Sequence, residues 1–557
     1  MAAAPTAGAI PVLILKEDTT RERGRQVLHN NVAAAVALAD IVKTTLGPRG
    51  MNKLLVDSLG DIIITNDGAT ILDELDVAHP AAKLIVQASK SQDYTAGDGT
   101  TSVVVLIGEF LNRADKLVDK GIHPIIITNA LKKIRKKLLE FLDELAWEVD
   151  IEKDKDILIN AAVSALNSKL PEEDRRFFAE LAYEAAKAAY DPERNYLDPD
   201  LISIIQKEGR TLRDTILVKG VAIDKKVVHP EMPKIKKNAR IALVDQNIEV
   251  EKADVTSNVT VESIEALEEL RNKEKALIRE MVQKLIDLKV DVLFCQRGIS
   301  EPAQDILAKN GIMAVRRVRR KDMRLISRAT GAKIVSNIED IREEDIGEAG
   351  IVYQKKVGED QMVFVEEPKY PGATTIIIRG ASKHITDEAE RALQDAINVL
   401  KDIFEDKKVV GGAGATIMAL SVKLRDWVEK TEELTGKEKE VARAFADALE
   451  SIPKAIIENA GEDVIEVLGE LRSKVAKEPG RWGFDAISGK IVDIKQKGLI
   501  DPYRVVANII TTAVETATTL LRVDEIIASR PKPEKERGKE RGGGEESEIK
   551  PPVQRKL

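Results

Sequence analysis

The sequence predicts a multidomain protein of mixed α and α/β structure, with a mainly helical domain built from both ends of the chain and an α/β domain inserted between them. Three observations predict this fold class. The 557 residues are enough for about three or four domains. Helical periodicity dominates residues 1–155 and returns after Arg379, whereas short β-branched runs alternate with helices from Val218 to Arg379.

The composition excludes several functional classes. Apolar residues make up 43 % of the chain and aromatic residues 3 %, which rules out a disordered chain and suits helical and α/β cores. The net charge of −8 gives no basic face for phosphates, so we expect no nucleic-acid partner.

A single cysteine, Cys295, excludes a disulfide framework and indicates a reducing compartment. It lies in the apolar run Asp291–Cys295, which predicts a buried structural thiol rather than a nucleophile. No stretch approaches the ~20 apolar residues of a membrane span, and the N-terminus lacks signal-peptide features. We therefore expect a cytoplasmic protein with no membrane partner.

The first helical block, residues 1–155, has signals for individual helices and for a hairpin. Apolar residues spaced by threes and fours predict an amphipathic helix over Arg25–Leu46, which Gly47-Pro48 ends. Lys53–Val56 and Asp61–Thr65 are predicted to form a β-hairpin. A further helix is predicted to begin at Thr100 and close at Gly121.

The middle of the chain predicts βαβ units, because β-branched runs and helices alternate there. The predicted strands are Ile241–Val244, Val290–Cys295, Ile312–Val318 and Thr374–Ile378. Residues 156–217 and 380–405 would form a bridge between the two domains. The charged stretch 530–557 has almost nothing to bury and is predicted to be disordered.

Familiar catalytic patterns are missing from the sequence. It contains no Gly-x-x-x-x-Gly-Lys-[Ser/Thr] motif, so a P-loop enzyme is excluded. The five histidines are unclustered, which argues against zinc chemistry and a Ser-His-Asp triad.

Gly97–Ser102, called the glycine loop below, stands at the start of a predicted helix. Glycines let a phosphate approach the backbone, and the free N–H groups of a first helical turn attract anions. Asp98 is a candidate ligand for the Mg²⁺ that accompanies a nucleotide. A simple glycine turn with a Thr N-cap explains the same residues equally well.

Three more turns carry glycine and aspartate: Leu46–Gly50, Thr65–Thr70 and Gly411–Gly414. Each by itself is most often only a turn. Four such loops within one predicted domain favour a binding site. Asp395 lies on a polar helical stripe, for which a solvated face is the simpler interpretation.

Four strings in this order resemble the group II chaperonins, which comprise the archaeal thermosomes and the eukaryotic CCT subunits. They are LGPRGMNKLLVDSLGDIIITNDGATIL, AGDGTTSVVVL, KKVVHPEMP, and the stretch from Gly483–Asp485 to Leu499–Pro502. The resemblance extends from about residue 10 to residue 529.

The resemblance implies an ATP-dependent folding machine. The chain would be one subunit of a double ring of homologous subunits, which hydrolyses ATP with Mg²⁺ and encloses unfolded or partly folded proteins. Residues 1–155 and 406–529 would form an equatorial ATPase domain, 156–217 and 380–405 a hinged intermediate domain, and 218–379 an apical substrate-binding domain. Within the last, residues 246–288 would form a helical protrusion that serves as a built-in lid.

The resemblance also assigns residues. Asp98 would bind Mg²⁺, Asp67 and Asp395 would flank the attacking water, and Lys169 would sense the terminal phosphate. The remaining nucleotide contacts would be Leu46, Gly47, Pro48, Asn66, Gly68, Gly99, Thr100, Thr101, Ser102, Gly411, Gly412, Asp485, Ala486 and Asp501. Because Asp395 and Asp98 belong to different domains, hydrolysis would require the domains to close.

Two departures leave an alternative open. The family usually has Gly-Gly-Gly-Ala-x-Glu where this chain has Gly411–Thr416, so Ala413 adds a methyl group and Thr416 replaces a glutamate. A Gly/Met-rich C-terminal repeat is replaced by charge. The alternative is a divergent structural ring subunit or holdase with weak or no ATPase, working with paralogous subunits. A small-molecule kinase has no identifiable acceptor site.

Overall fold

The computed structural model describes residues 19–56, 60, 62–167, 169–249 and 264–529. The helices and strands of these residues surround three large hydrophobic cores. The predicted disordered tail, 530–557, lies outside the described residues. So does the middle of the predicted lid, residues 250–263.

The described α-helices, in chain order, are α1 (Arg25–Lys43), α2 (Gly68–Glu74), α3 (Pro80–Ala96), α4 (Thr100–Asp119), α5 (Pro124–Leu145), α6 (Lys155–Leu166), α7 (Glu172–Ala189), α8 (Ile264–Asp287), α9 (Glu301–Lys309), α10 (Arg320–Thr330), α11 (Lys383–Asp406), α12 (Ala415–Lys430), α13 (Gly436–Leu449), α14 (Ser451–Ala460), α15 (Val464–Lys477), α16 (Ile494–Lys497) and α17 (Tyr503–Leu521).

The described strands are β1 (Thr19–Arg23), β2 (Lys53–Val56), β3 (Ile62–Thr65), β4 (Trp147–Glu148), β5 (Tyr190–Asp191), β6 (Tyr196–Leu197), β7 (Ile202–Glu208), β8 (Ile216–Val218), β9 (Gly220–Ile223), β10 (Ile235–Val244), β11 (Val292–Cys295), β12 (Met313–Val315), β13 (Ile334–Val335), β14 (Gly347–Val357), β15 (Asp360–Pro368), β16 (Thr374–Gly380), β17 (Lys408–Gly411), β18 (Trp482–Asp485), β19 (Lys490–Asp493), β20 (Ile500–Pro502) and β21 (Glu525–Ser529).

The first core is helical and combines residues from both ends of the chain, chiefly from α1, α3, α4, α5, α13 and α17. Helix α4 lies at its centre, because the unbroken apolar run Val103–Ile107 is fully buried and a helix that is apolar on all sides packs on all sides. The helices predicted at Arg25 and at Thr100 and the β2–β3 hairpin are confirmed. The ends of the described chain also meet, since β1 pairs with β21.

The second core surrounds a seven-stranded mixed sheet in the order β12-β11-β10-β14-β15-β9, with β13 beside β10. The predicted βαβ units are confirmed, because β10, β11 and β12 are parallel and are joined by α8 and α9. The antiparallel strands β14 and β15 complete the sheet. The predicted strand Thr374–Ile378 is also present, as β16, but it pairs with β7 and β8 in a separate sheet rather than with the βαβ units.

The third core lies between the other two. It joins α6, α7 and α11 to the β7–β16–β8 sheet and extends to Val149 and Val409. Helix α11 has a continuous buried face, from Thr386 to Phe404, and a polar face opposite it. The structure thus confirms the predicted helix around Asp395.

Two further predictions concern Cys295 and membrane-spanning helices. The Cys295 thiol is buried and donates to the carbonyl oxygen of Gln246, 3.2 Å away, and burial raises its pKa to about 11. The prediction of a buried structural cysteine is therefore confirmed. Within the described ranges no helix is long and apolar enough to cross a membrane.

A charge cluster joins the third core to the first. Arg504, on α17, donates to Asp402 (3.1 Å), Glu405 (2.9 Å) and Asp406 (3.0 and 2.5 Å) on the last turn of α11. The Asp402 side chain is only 3 % exposed, and burial raises its pKa to about 7 although Arg504 acts to lower it.

We predict that Arg504→Ala destabilises the junction of α11 and α17 by about 3 kcal/mol, because it leaves a buried carboxylate without its cation. The measurement is the chemical denaturation midpoint, with hydrogen exchange of α11 as a local readout. The matched control is Arg443→Ala, whose partners Glu429 and Glu440 are 66 % and 52 % exposed, so the loss should stay below about 1 kcal/mol. Equal losses in the two variants would contradict the prediction.

Candidate active site

The glycine loop connects α3 to α4. Gly97 and Gly99 both have positive φ angles, 60° and 80°, so the chain turns sharply and Thr100 begins α4. The N–H groups of the first turn of α4 have no partner within the helix, and with the helix dipole they favour an anion. The turn before α2 packs directly on this loop, since a Cβ on Gly68 would lie 2.4 Å from Thr101 Oγ1.

Lys169 lies between two carboxylates that come from different parts of the chain. It is bonded to Asp395 of α11, and its Nζ lies 4.0 Å from Asp67 Oδ1. Its side chain is only 7 % exposed. Burial acts to lower the pKa of Lys169, but Asp395 and Asp67 outweigh it and raise that pKa above its usual range. The lysine is therefore a fixed positive charge in the site.

The carboxyl of Asp67 is held by its own helix. It is the N-cap of α2, and its Oδ2 accepts from the Thr70 backbone N–H (2.8 Å) and hydroxyl (2.7 Å). The other oxygen, Oδ1, is the one nearest to Lys169. Burial raises the pKa of Asp395 to about 7, with Lys169 opposing the effect and Asp67 adding to it. Asp395 is thus able to exchange a proton near neutral pH.

Asp98 and Asp501 form a second acidic pair. Asp98 Oδ1 accepts from the N–H of Gly99 at 2.6 Å, and burial raises the pKa of Asp98. Burial and the charge of Asp98 raise the pKa of Asp501 to about 7. The carboxyl group of Asp98, next to the hydroxyl groups of Thr100, Thr101 and Ser102, is a donor set that suits a hard divalent cation such as Mg²⁺.

Two cavities adjoin at the glycine loop and share Leu46, Gly47, Asp98, Gly99, Ser102 and Ala165. The smaller cavity, of about 100 Å³, is polar and contains Asp67, Asp98, Lys169 and Asp395. The larger cavity, of about 240 Å³, has mostly apolar walls from α12, α14 and α17 and includes Phe484. Together they fit a ligand with an apolar body and an anionic end.

Most of the predicted site residues line these cavities. The smaller cavity contains Leu46, Gly47, Asn66, Asp67, Gly68, Asp98, Gly99, Thr100, Thr101, Ser102, Lys169 and Asp395. The larger cavity adds Pro48, Asp485, Ala486 and Asp501.

Gly411 and Gly412 were predicted to line the site; they are not among the residues that line the two cavities, so their role stays a prediction. A Cβ on Gly411 would meet Ile494 Cδ1 at 2.2 Å, and one on Gly412 would meet Asp501 Oδ1 at 2.9 Å. These glycines therefore allow close packing, while Ala413 and Gly414 reach the cavity instead. Asp485 also has a local role, because it accepts from Ile487 N–H and Ser488 Oγ in the turn after β18.

Several wall residues were not among the predicted site residues, because most of them come from helices distant in the chain and carry no chemical signature. They are Ser164, Ala165, Asn167, Ile417, Ile452, Ile456, Leu499, Val505, Val506 and Ile509. Only the apolar periodicity of α14 and α17 would have marked some of them as buried.

Ala413 and Thr416, the two residues of the Gly411–Thr416 stretch that depart from the usual family pattern, both lie in unfavourable environments. Ala413 has φ 53°, in the left-handed region that favours glycine, and its carbonyl accepts from Phe484 N–H at 3.0 Å. Thr416 is 1 % exposed, and its hydroxyl has no hydrogen-bond partner among the described residues.

The chain resembles known chaperonins over nearly its whole length. Residues 38–531 match the model of the TCP-1/cpn60 chaperonin family. A thermosome subunit of Pyrococcus horikoshii is 46 % identical over 538 residues, which cover 96 % of this chain and 97 % of that protein. The thermosome subunit beta of Aeropyrum pernix is 47 % identical over 525 residues, which cover 93 % of this chain and 94 % of that protein. The thermosome subunit alpha of Archaeoglobus fulgidus is 44 % identical over 542 residues, which cover 97 % of this chain and 98 % of that protein.

We predict that Ala413→Gly raises the free energy of unfolding by about 0.5–1 kcal/mol, because it removes a side chain from a left-handed backbone position. Chemical denaturation measures the change. The control is Ala415→Gly, two residues along in the first turn of α12, where the same loss of a methyl group should lower stability by about 1 kcal/mol. If both variants lose stability, the backbone at Ala413 is not strained.

Proposed function

This chain belongs to the TCP-1/cpn60 chaperonin family as a group II chaperonin subunit, and we propose that it hydrolyses ATP with Mg²⁺ to drive the enclosure of unfolded protein in a double ring. One observation carries the ATPase proposal. Lys169, Asp67 and Asp395 meet in a buried polar cavity beside the N-terminus of α4 and Asp98. This set combines an anion site, a cation site and a base, which phosphoryl transfer to water requires.

We assign the residues as follows. The first turn of α4 and its hydroxyls bind the phosphates, and Lys169 contacts the terminal phosphate. Asp98 holds Mg²⁺, which neutralises phosphate charge. Asp67 and Asp395 orient the attacking water, and Asp395, with a pKa of about 7, accepts its proton. Asp485, Ala486 and Asp501 in the larger cavity take the nucleoside.

The position of Asp395 links hydrolysis to movement. Asp395 belongs to α11 and the third core, whereas Asp98 and α4 belong to the first core. The base therefore reaches the phosphates only while these two parts are closed on one another.

We propose the corresponding domain roles. Residues 1–155 and 406–529 form the equatorial ATPase domain, 156–217 and 380–405 the intermediate domain, and 218–379 the apical domain. The packing of the third core favours small shifts of these boundaries. Val149 and Val409 lie near the ends of the two equatorial segments, and β16 lies at the end of the apical segment, yet all three pack in the third core.

We also propose that the apical protrusion is a built-in lid, but shorter than 246–288. Ile278, Val282 and Leu285 of α8 are fully buried in the second core, so the end of α8 supports the apical domain. Leu277 on the same helix is 50 % exposed. The partners are unfolded proteins and homologous subunits; the alpha and beta subunits named among the relatives are consistent with rings of paralogues.

A second candidate is a structural ring subunit or holdase with weak or no ATPase. The strained Ala413 in the wall of the larger cavity and the unpaired Thr416 hydroxyl favour it. Steady-state ATP hydrolysis by the purified chain distinguishes the two candidates.

We predict that Asp395→Ala lowers the rate of Mg²⁺-dependent ATP hydrolysis by about a hundredfold or more, because the water loses its base. ATP binding, measured by calorimetry, should remain. The matched control is Asp426→Ala, an exposed aspartate on α12, which should hydrolyse ATP at the parent rate. Removal of Mg²⁺ with a chelator should stop hydrolysis in every variant. An Asp395→Ala chain as fast as the parent would remove Asp395 from the mechanism.

We predict that deletion of residues 250–275 abolishes enclosure but preserves ring assembly and ATP hydrolysis, because the deletion spares the buried end of α8. The measurement is protease protection of a bound unfolded protein during ATP turnover. Burial of even ~100 Å² of apolar surface per subunit would favour closure by about 2.5 kcal/mol. Protection that persists in the deletion variant would indicate an external cap instead.

A further inference from the structure

Gly97 and Asn398 touch where α11 meets the end of α3. Gly97 is the C-cap of α3, with φ 60° and ψ 2°. A Cβ on Gly97 would lie 2.3 Å from Asn398 Cβ, 2.6 Å from its Nδ2 and 2.8 Å from its Cγ. The backbone of the loop and the side chain on the helix are therefore packed with no room for a methyl group.

This contact lies next to the residues that carry the proposed chemistry. Gly97 directly precedes Asp98 in the chain. Asn398 follows Asp395 by three residues and lies about one turn along the same face of α11. Gln394 Nε2 donates to Asn398 Oδ1 at 3.2 Å, which holds the side chain in place.

We propose that Gly97 and Asn398 are positioning residues, and that their contact is the stop that sets how closely α11 brings Asp395 to the glycine loop. The inference rests on the proposed ATPase function and adds residues for which that function had no role. A steric stop suits this task because packed interfaces move between discrete positions rather than deforming continuously.

The atom that Gly97 faces makes the inference specific. The nearest atom is Cβ of Asn398, which is fixed to the backbone of α11, so rotation of the side chain cannot relieve a clash. Ordinary contacts of a Cβ begin at 3.4 Å, so a methyl group on Gly97 would push α11 away by about 1 Å. A displacement of that size at a reacting centre costs about a hundredfold in rate.

The test is Gly97→Ala in the full-length chain, with kcat and KM for ATP measured separately. We expect kcat to fall about a hundredfold and KM to change by less than about threefold, because the phosphate-binding turn of α4 is retained. A general loss of folding would lower the active fraction and is checked by the denaturation midpoint.

A matched control separates the contact from backbone strain. Gly461 is also a helix C-cap with a left-handed backbone, φ 82°, but a Cβ there would meet nothing within 4 Å. Gly461→Ala should therefore keep the parent kcat. Rescue provides the second control: in an Asn398→Gly background, Gly97→Ala should lower kcat by less than about threefold, since the clashing Cβ is gone.

The outcomes distinguish the inference from the function on which it rests. If Gly97→Ala lowers kcat equally with and without Asn398→Gly, the contact is not the stop and the inference is overturned. If the parent does not hydrolyse ATP, the proposed function fails, and electron cryomicroscopy of nucleotide-free Gly97→Ala still tests the stop. It should show Lys169 Nζ and Asp67 Oδ1 farther apart than 4.0 Å; an unchanged distance would overturn the inference.

Discussion

The contact of Lys169 with Asp67 and Asp395 is the constraint on which the arrangement of the site depends. An ammonium group that is only 7 % exposed needs carboxylates close by, because a buried charge without a partner is strongly destabilising. One carboxylate caps α2 in the helical part, and the other lies on α11 in the third core. Lys169 therefore joins the two parts electrostatically, and the domain movement that we propose would separate it from one of its partners.

The remaining charges of the site explain which ligand it can take. Asp395, Asp98 and Asp501 all have raised pKa values, because burial penalises their charged forms and Lys169 opposes this effect only in part at Asp395 and Asp98. A divalent cation relieves this excess of acid, and the N-terminus of α4 receives an anion. The apolar walls of the adjoining cavity exclude water around the rest of the ligand. The nucleotide and metal that we propose as ligands would satisfy all three environments together.

Ala413 and Gly97 both have a left-handed backbone, but only the position of Ala413 accommodates a side chain. Ala413 keeps its carbonyl bond to Phe484 although its backbone lies where glycine is favoured. Gly97 has no such freedom, because a helix of another core packs against it. The surroundings of the two residues differ. The backbone strain at Ala413 is confined to its own turn, whereas a side chain at Gly97 would displace α11.

The sequence by itself determined the elements and motifs that local chemistry fixes. Apolar periodicity predicted α1 and α4, β-branched runs predicted β10, β11 and β12, and Asp98 and Lys169 were found from motifs that resemble a known family. Only the tertiary structure decided contacts between distant segments. Strand β16 joined β7 and β8 rather than the larger sheet, Ala413 and Gly414 reached the cavity, and Asn398 met Gly97. These outcomes depend on which buried surfaces fit one another across the fold, and neither residue type nor spacing along the chain encodes that fit.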